Sequence, residues 1–225
     1  MEELIKAKEP FRFNTRLHLS ELTGLRASNL NQLNALIKKV PGSCIYHHTH
    51  RFLQQHQYLS PEPPNDFAYW VSDILGEDEL AEKLASIDTV QFNNIRSLRE
   101  KITKTIEEYL NDNSVAKIKF AREGEEFHFI KSISFIVPTN YVAYDLRDFY
   151  EIIKKITIDS IYFHIFESRL RLEKKTNDFA NWIADSIGDQ ELAGKVFRLD
   201  PYTYTLEDLR QKILKLLEGK INQNA

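Results

Sequence analysis

The sequence predicts a mainly α, α+β protein formed by tandem duplication of one strand-plus-helices domain, with two repeats related by a pseudo-twofold axis and packed as a single unit. Three observations lead there. The segment NDFAYWVSDILGEDELAEKL (Asn65 to Leu84) returns as NDFANWIADSIGDQELAGKV (Asn177 to Val196), with 11 of 20 positions identical. Each copy opens on a stretch of period-two aromatic alternation, which marks a half-buried strand. The rest of each copy carries apolar residues at helical spacings of three and four.

The repeat fixes the element order. From Phe11/Phe127 to His48/His164 the offset is 116; a proline-rich insertion in copy one lowers it to 112, and a further slip lowers it to 111. Repeat one is read as 1–112 and repeat two as 117–221, with 111–119 (NDNSVAKIK) as linker. The strands place Phe11, Phe13, Thr15, Leu17 and Leu19 on one face in copy one, and Phe127, Phe129, Ile133, Phe135 and Val137 in copy two. One strand per copy is not a stable sheet, so the strands are expected to pair with each other, with a partner chain or with a further strand. A first helix follows from Leu30, Leu33, Ile37 and Val40, matched by Leu146, Phe149, Ile153 and Ile156. Ser43 and Asp159 are the N-caps expected for a second helix. A third starts at Asn65-Asp66 or Asn177-Asp178, and Gly76 and Gly188 stand where a helix end wants positive φ. A short helix carries Leu80 and Leu84. The last and longest buries Ile95, Leu98, Ile102, Ile106 and Leu110, with Leu206, Leu209, Ile213 and Leu216 as counterparts. Thr205 with Asp208 forms a capping-box pattern.

Composition narrows the class. The chain has 225 residues, 42% of them hydrophobic, with a net charge of −3 and interspersed charges. That argues against electrostatic nucleic-acid binding. No apolar run approaches the roughly 20 residues of a membrane span, so no membrane partner is expected. The single cysteine, Cys44, excludes an internal disulfide and fits a reducing, cytoplasmic setting.

The chemistry concentrates in YHHTHRFLQQHQY, residues 46–58, where His47, His48, His50 and His56 fall close together. Imidazole is the commonest metal ligand and titrates near neutrality. On a helix His48 and His56 lie about 12 Å apart and cannot share an ion. His47 and His50 can, and are the metal-ligand pair the sequence offers. On a strand, His48 and His50 would share a face instead. The copies sort these residues: His48 has His164 as counterpart, whereas His47 and His50 face Phe163 and Phe166, so the fold does not need them. Copy one alone carries YLSPEPPND, whose prolines stiffen a loop suited to walling a pocket. Arg51 adjoins the cluster. Asn65, Asp66 and Asp178 read as helix caps or as a ligand site shared by the copies, and Trp70 and Trp182 as core with a satisfied polar tip. Arg16, Arg26, Arg51, Arg169 and Arg171 are able to bind an anion. Phosphate-loop, dinucleotide, nucleophile-elbow and CxxC patterns are absent. Glu125-x-x-His128 sits on a strand pattern, where it lacks the paired helices a carboxylate-bridged metal site needs.

The segments ELTGLRASNL, SCIYHHTHRFLQQHQYLSPEPPNDFAYWVSDILG, DSIYFHIFESRLRLEKKTNDFANWIADSIG and LDPYTYTLEDLR resemble, over essentially the whole chain, a bacterial and archaeal family known only as a domain of unknown function. The resemblance implies no activity, cofactor or catalytic residue. It implies a loose link to sugar metabolism through gene neighbourhoods containing glycosyltransferases. The residues favour a non-catalytic ligand- or partner-binding, regulatory protein, with its site built from His47, His48, His50, Arg51 and His56. A metal-dependent, phosphoesterase-like hydrolase is the alternative, with His47 and His50 as ligands to a divalent metal and Asp66 or Glu62 as carboxylates. A structural protein that pairs with a protein partner or as a homodimer is the third.

Overall fold

A computed structural model of the chain describes residues 6–50, 65–92, 94–167, 176–199 and 205–223. The proline-rich loop, Glu62, Arg51, His56, Arg169 and Arg171 lie outside the described residues. The fold is α+β, with ten α-helices among the described residues and a two-stranded antiparallel sheet. The order is β1 (Lys6–Ala27), α1 (Leu30–Lys39), α2 (Gly42–His50), α3 (Asp66–Asp73), α4 (Asp78–Ala85) and α5 (Ile95–Asp112). Then come β2 (Phe127–Asp145), α6 (Leu146–Ile153), α7 (Ile158–Tyr162), α8 (Asp178–Trp182), α9 (Gln190–Phe197) and α10 (Leu206–Gln223). Of the three pairings open to the strands, they adopt the first: β1 pairs with β2.

Helix starts follow side-chain chemistry. Asn29 Oδ1 accepts from Gln32 N at 2.9 Å and opens α1. Asp145 accepts from Arg147 N and Asp148 N, both at 2.8 Å, and opens α6. Asn65 and Asn177 cap α3 and α8 through Ala68 N and Ala180 N. The Thr205–Asp208 capping box forms, Thr205 Oγ1 accepting from Asp208 N at 3.1 Å. Ser43 and Asp159 are not caps. Gly42 already begins α2, and Thr157 caps α7 by accepting from Ser160 N; its extended backbone frees the hydroxyl for that bond. Gly76 and Gly188 turn the chain at φ +62° and +84°, which a side chain rarely tolerates.

The inward strand faces differ from simple alternation. Phe11, Phe13 and Arg16 are buried in β1, and Phe127, Phe129 and Ser132 in β2. The step from 13 to 16, and from 129 to 132, is three residues, as one extra residue in a strand produces. Leu17, Leu19 and Phe135, expected inside, are therefore 62%, 56% and 54% exposed.

The chain forms two compact units that do not follow the sequence halves 1–112 and 117–221. Among the described residues, the first unit comprises 18–50 and 65–133, and the second 6–17 together with everything from Ser134 onward. Both strands are divided at the matched positions Leu17 and Ile133. The cause is aromatic packing. Phe11 lies 5.4 Å from Phe149 and 5.5 Å from Phe179, so the opening of β1 completes the second unit. Phe127 lies 5.2 Å from Phe67 and 5.8 Å from Trp70, so the opening of β2 completes the first. The first unit's core runs from Leu30, Leu33 and Ile37 through Phe67, Leu80 and Leu84 to Ile102 and Ile106.

Candidate functional site

His48 sits on α2 because Ile45 and Cys44 turn that face of the helix into the core. Its Nε2 accepts from the backbone N–H of Ile130 at 3.0 Å, and its Nδ1 meets Asp66 Oδ2 at 2.8 Å. A ring nitrogen that accepts carries no hydrogen, so the proton is on Nδ1 and is donated to Asp66. His164 repeats this arrangement in the second unit. Its Nε2 accepts from Asn14 N at 2.9 Å, and its Nδ1 meets Asp178 Oδ2 at 3.0 Å. Trp70 Nε1 donates to Glu125 O and Trp182 Nε1 to Glu9 O, both at 2.7 Å. Each unit thus fastens an incoming strand with a neutral histidine and a tryptophan. Asn65 adds a bond to Leu84 O at 3.1 Å beyond its cap. His48, Asp66, Asn65, Trp70, His164 and Asp178 all have duties in the fold.

His50 is fully buried, and its ring stacks on Tyr46 at 5.3 Å and 5°. Phe166 stacks on Tyr162 the same way, at 5.0 Å and 23°. Thr49 Oγ1 donates its hydrogen to Ile45 O, so its 2.6 Å contact with His50 Nδ1 is one in which His50 donates. Burial drives the His50 pKa down to about 3. His50 is therefore a neutral aromatic plate.

His47 differs. Its Nδ1 lies 3.1 Å from Ser132 Oγ, which lies 3.3 Å from His18 Nε2. His47 and Ser132 are buried and His18 is half-buried. A hydroxyl has one hydrogen, so it can donate to one ring only while the other ring donates to it. The matched positions in the second unit hold other chemistry: Phe163 for His47, Arg16 for Ser132 and Ser134 for His18. There Arg16 Nη1 meets Glu167 Oε2 at 2.7 Å, both side chains buried, with the guanidinium 4.2 Å over the Tyr162 ring. Neither Ser132 nor His18 stands out in the sequence, where each is a lone residue on a strand pattern. Aligning the strands at the 116 offset shows both, because a buried strand position changes there from arginine to serine.

Ligating atoms of His47, His48 and Asp66 all lie within 4.8 Å of one another, the one group among the described residues with metal-ligand geometry. His50 is not part of it. His48 limits this group as a metal centre. While Nε2 accepts from Ile130, Nδ1 keeps its proton and has no lone pair for an ion. Arg26, for its part, reaches Glu126 at 3.5 Å and is largely exposed.

A family model described as a family of unknown function (DUF5752) matches residues 8–218. Among solved structures, OrfY from Thermoproteus tenax is similar. It is 28% identical with a TM-score of 0.82, the match covering 96% of this chain and 98% of that one. No curated protein matches the sequence.

Proposed function

The chain belongs to the family of unknown function DUF5752, and we propose that within it this protein is a non-catalytic ligand-binding or regulatory protein. Its site is the His47–Ser132–His18 cluster of the first unit. One observation carries the reading. The halves, taken as copies of one domain, keep the histidine–aspartate strand clamp and differ beside it. The second unit closes that place with an internal Arg16–Glu167 ion pair and Phe163. The first offers one hydroxyl and two imidazoles, which donate and accept. No helix of the described residues is long and apolar enough to cross a membrane.

The test is a small-molecule screen read on the ring 15N signals of His47 and His18, with His47→Phe as control. Copy two already carries phenylalanine there, so the variant is expected to fold. A compound that moves both signals in the parent, with weakened binding in the variant, supports the reading. A complete absence of perturbing compounds removes it.

The metal-hydrolase alternative keeps one observation in its favour, the His47–His48–Asp66 grouping. It requires His48 to give up either its bond to Ile130 or its Nδ1 proton, and among the described residues the second unit keeps the same clamp with no third ligand grouped beside it. Elemental analysis of natively purified protein decides. Stoichiometric zinc, iron or manganese that vanishes in His47→Phe would favour the hydrolase over the binding protein.

A further inference from the structure

We infer that the first unit binds a phosphate group on its surface where α1, α2 and α5 meet, at Arg99 and Arg96, independently of the His47 cluster. The foundation is an arginine that both units use alike. Arg99 Nη2 donates to Val40 O at 2.7 Å, and Arg210 Nη1 donates to Ile156 O at 2.8 Å. The offsets of 111 and 116 set these residues beside one another. Their Nε–H groups part ways. Arg210 Nε donates to Glu207 Oε2 at 2.9 Å. Arg99 Nε is buried with no hydrogen-bond partner. Arg96 stands where the second unit has Glu207, and it has no oxygen to offer. A buried donor left open is uncommon, and it points to an acceptor supplied from outside.

The surroundings favour a negative one. α7 opens with Thr157 as its cap and Asp159 in its first turn. At those two positions α2 has Pro41 and Ser43, and neither α2 nor α5 holds an acid in its first turn. Gly42 brings the start of α2 against the start of α5, since a Cβ on it would lie 3.4 Å from Ile95 Cγ2. Arg96 is thus a cation in the first turn of a helix, where the helix dipole disfavours it. Lys39 and Arg96 are exposed and form no ion pair among the described residues. The place is open to solvent: Glu207 is 56% exposed while it holds Arg210, beside a groove of about 380 Å³ that Lys154 and Lys155 also line. Two guanidinium groups, an ammonium and helix-start amides offer more donors than a carboxylate's two oxygens take up, and they suit a phosphate group. Glu100, one turn beyond Arg96, is an exposed acid on the same helix and opposes the anion.

The experiment titrates the full-length protein with sodium phosphate, methyl phosphate, sodium acetate and ionic-strength-matched sodium chloride, following the Arg99 Nε–H and Gly42 amide signals. Saturable shifts with phosphate or its monoester, and not with acetate or chloride, are expected. Arg96→Glu, which installs the second unit's residue at an exposed position, weakens them about tenfold or more, the scale of one charged hydrogen bond. Ser43→Asp does the same from α2, and Glu100→Gln strengthens binding. Tighter binding of the monoester than of inorganic phosphate assigns the group to an organic molecule; the reverse assigns free phosphate. No saturable shift with either phosphate, an equal response to acetate, or equal affinity in Arg96→Glu and Ser43→Asp overturns the proposal. Either result leaves the His47 reading to its own screen, which follows different signals.

Discussion

His50→Phe tests the assignment of that residue as a neutral aromatic plate, through the pH dependence of stability. The buried ring has its pKa driven down to about 3 from an ordinary 6.5. In the unfolded chain His50 binds a proton as pH falls through 6.5, whereas in the folded protein it stays neutral. Between 6.5 and about 3 the unfolded state therefore holds more protons, and stability drops as the solution is acidified. Each pH unit is about 1.4 kcal/mol, so from pH 7 to pH 4.5 the residue contributes a loss of about 3 kcal/mol. Phenylalanine, which the second unit uses as Phe166 in a like stack on Tyr162, has nothing to titrate. Thr49 keeps its bond to Ile45 O, so the variant is expected to match the parent near pH 7. Urea unfolding of both proteins at pH 7 and pH 4.5 isolates the term as a difference of differences, because the other carboxylates and histidines titrate alike in each. A variant that loses as much stability as its parent would refute the argument, since His50 would then be charging inside the fold.

Two further outcomes follow from the strand clamps and the exchanged strands. His48→Phe leaves the Ile130 N–H without its acceptor and is expected to cost about 1–3 kcal/mol in urea unfolding; His164→Phe does the same at Asn14, whereas His47→Phe costs little. Phe13→Ala opens a cavity among Phe11, Phe149 and Phe179, worth about 3–5 kcal/mol, and lowers hydrogen-exchange protection in α6–α10 before α1–α5; Phe129→Ala reverses that order. Equal loss in the sequence half that carries each mutation would contradict the exchange.

Much of this architecture was legible from local rules. Asn65, Asn177 and Thr205 cap as their residue types dictate, and Gly76 and Gly188 take the left-handed backbone that ends a helix. What failed was the strand register past Phe13 and Phe129. Alternation assumes a regular ladder, and one extra residue turns Leu17, Leu19 and Phe135 outward while bringing Arg16 and Ser132 in. The exchange of strand openings was equally hidden, because Phe11 and Phe13 read the same as Phe127 and Phe129, and the sequence alone does not say which pair the helices of either half take up. For the site, the offset of 116 sets His48 beside His164, whereas His47 and His50 stand opposite phenylalanines. That offset does not separate His47 from His50, since it sets both opposite phenylalanine, Phe163 and Phe166. Only the neighbours tell them apart: His50 lies on a tyrosine ring, and His47 on a serine hydroxyl.

The clamp explains why one histidine is retained in both units while those beside it change. The ring must accept a backbone N–H at one end, donate to a carboxylate at the other, and fill space between phenylalanines, as His48 does against Phe127 at 4.7 Å and His164 against Phe11 at 4.9 Å. Phenylalanine supplies the body without the polar ends, and leaves a buried N–H unsatisfied. Neutral imidazole supplies all three. Position 47 instead sets its imidazole against the Ser132 hydroxyl, and phenylalanine stands at the matching position 163. Ser132→Ala then separates function from folding: it removes a hydroxyl whose partners among the described residues are the side chains of His47 and His18, so a loss of ligand binding at unchanged unfolding midpoint assigns the cluster to recognition. A fall in midpoint equal to that of His48→Phe would return it to the fold.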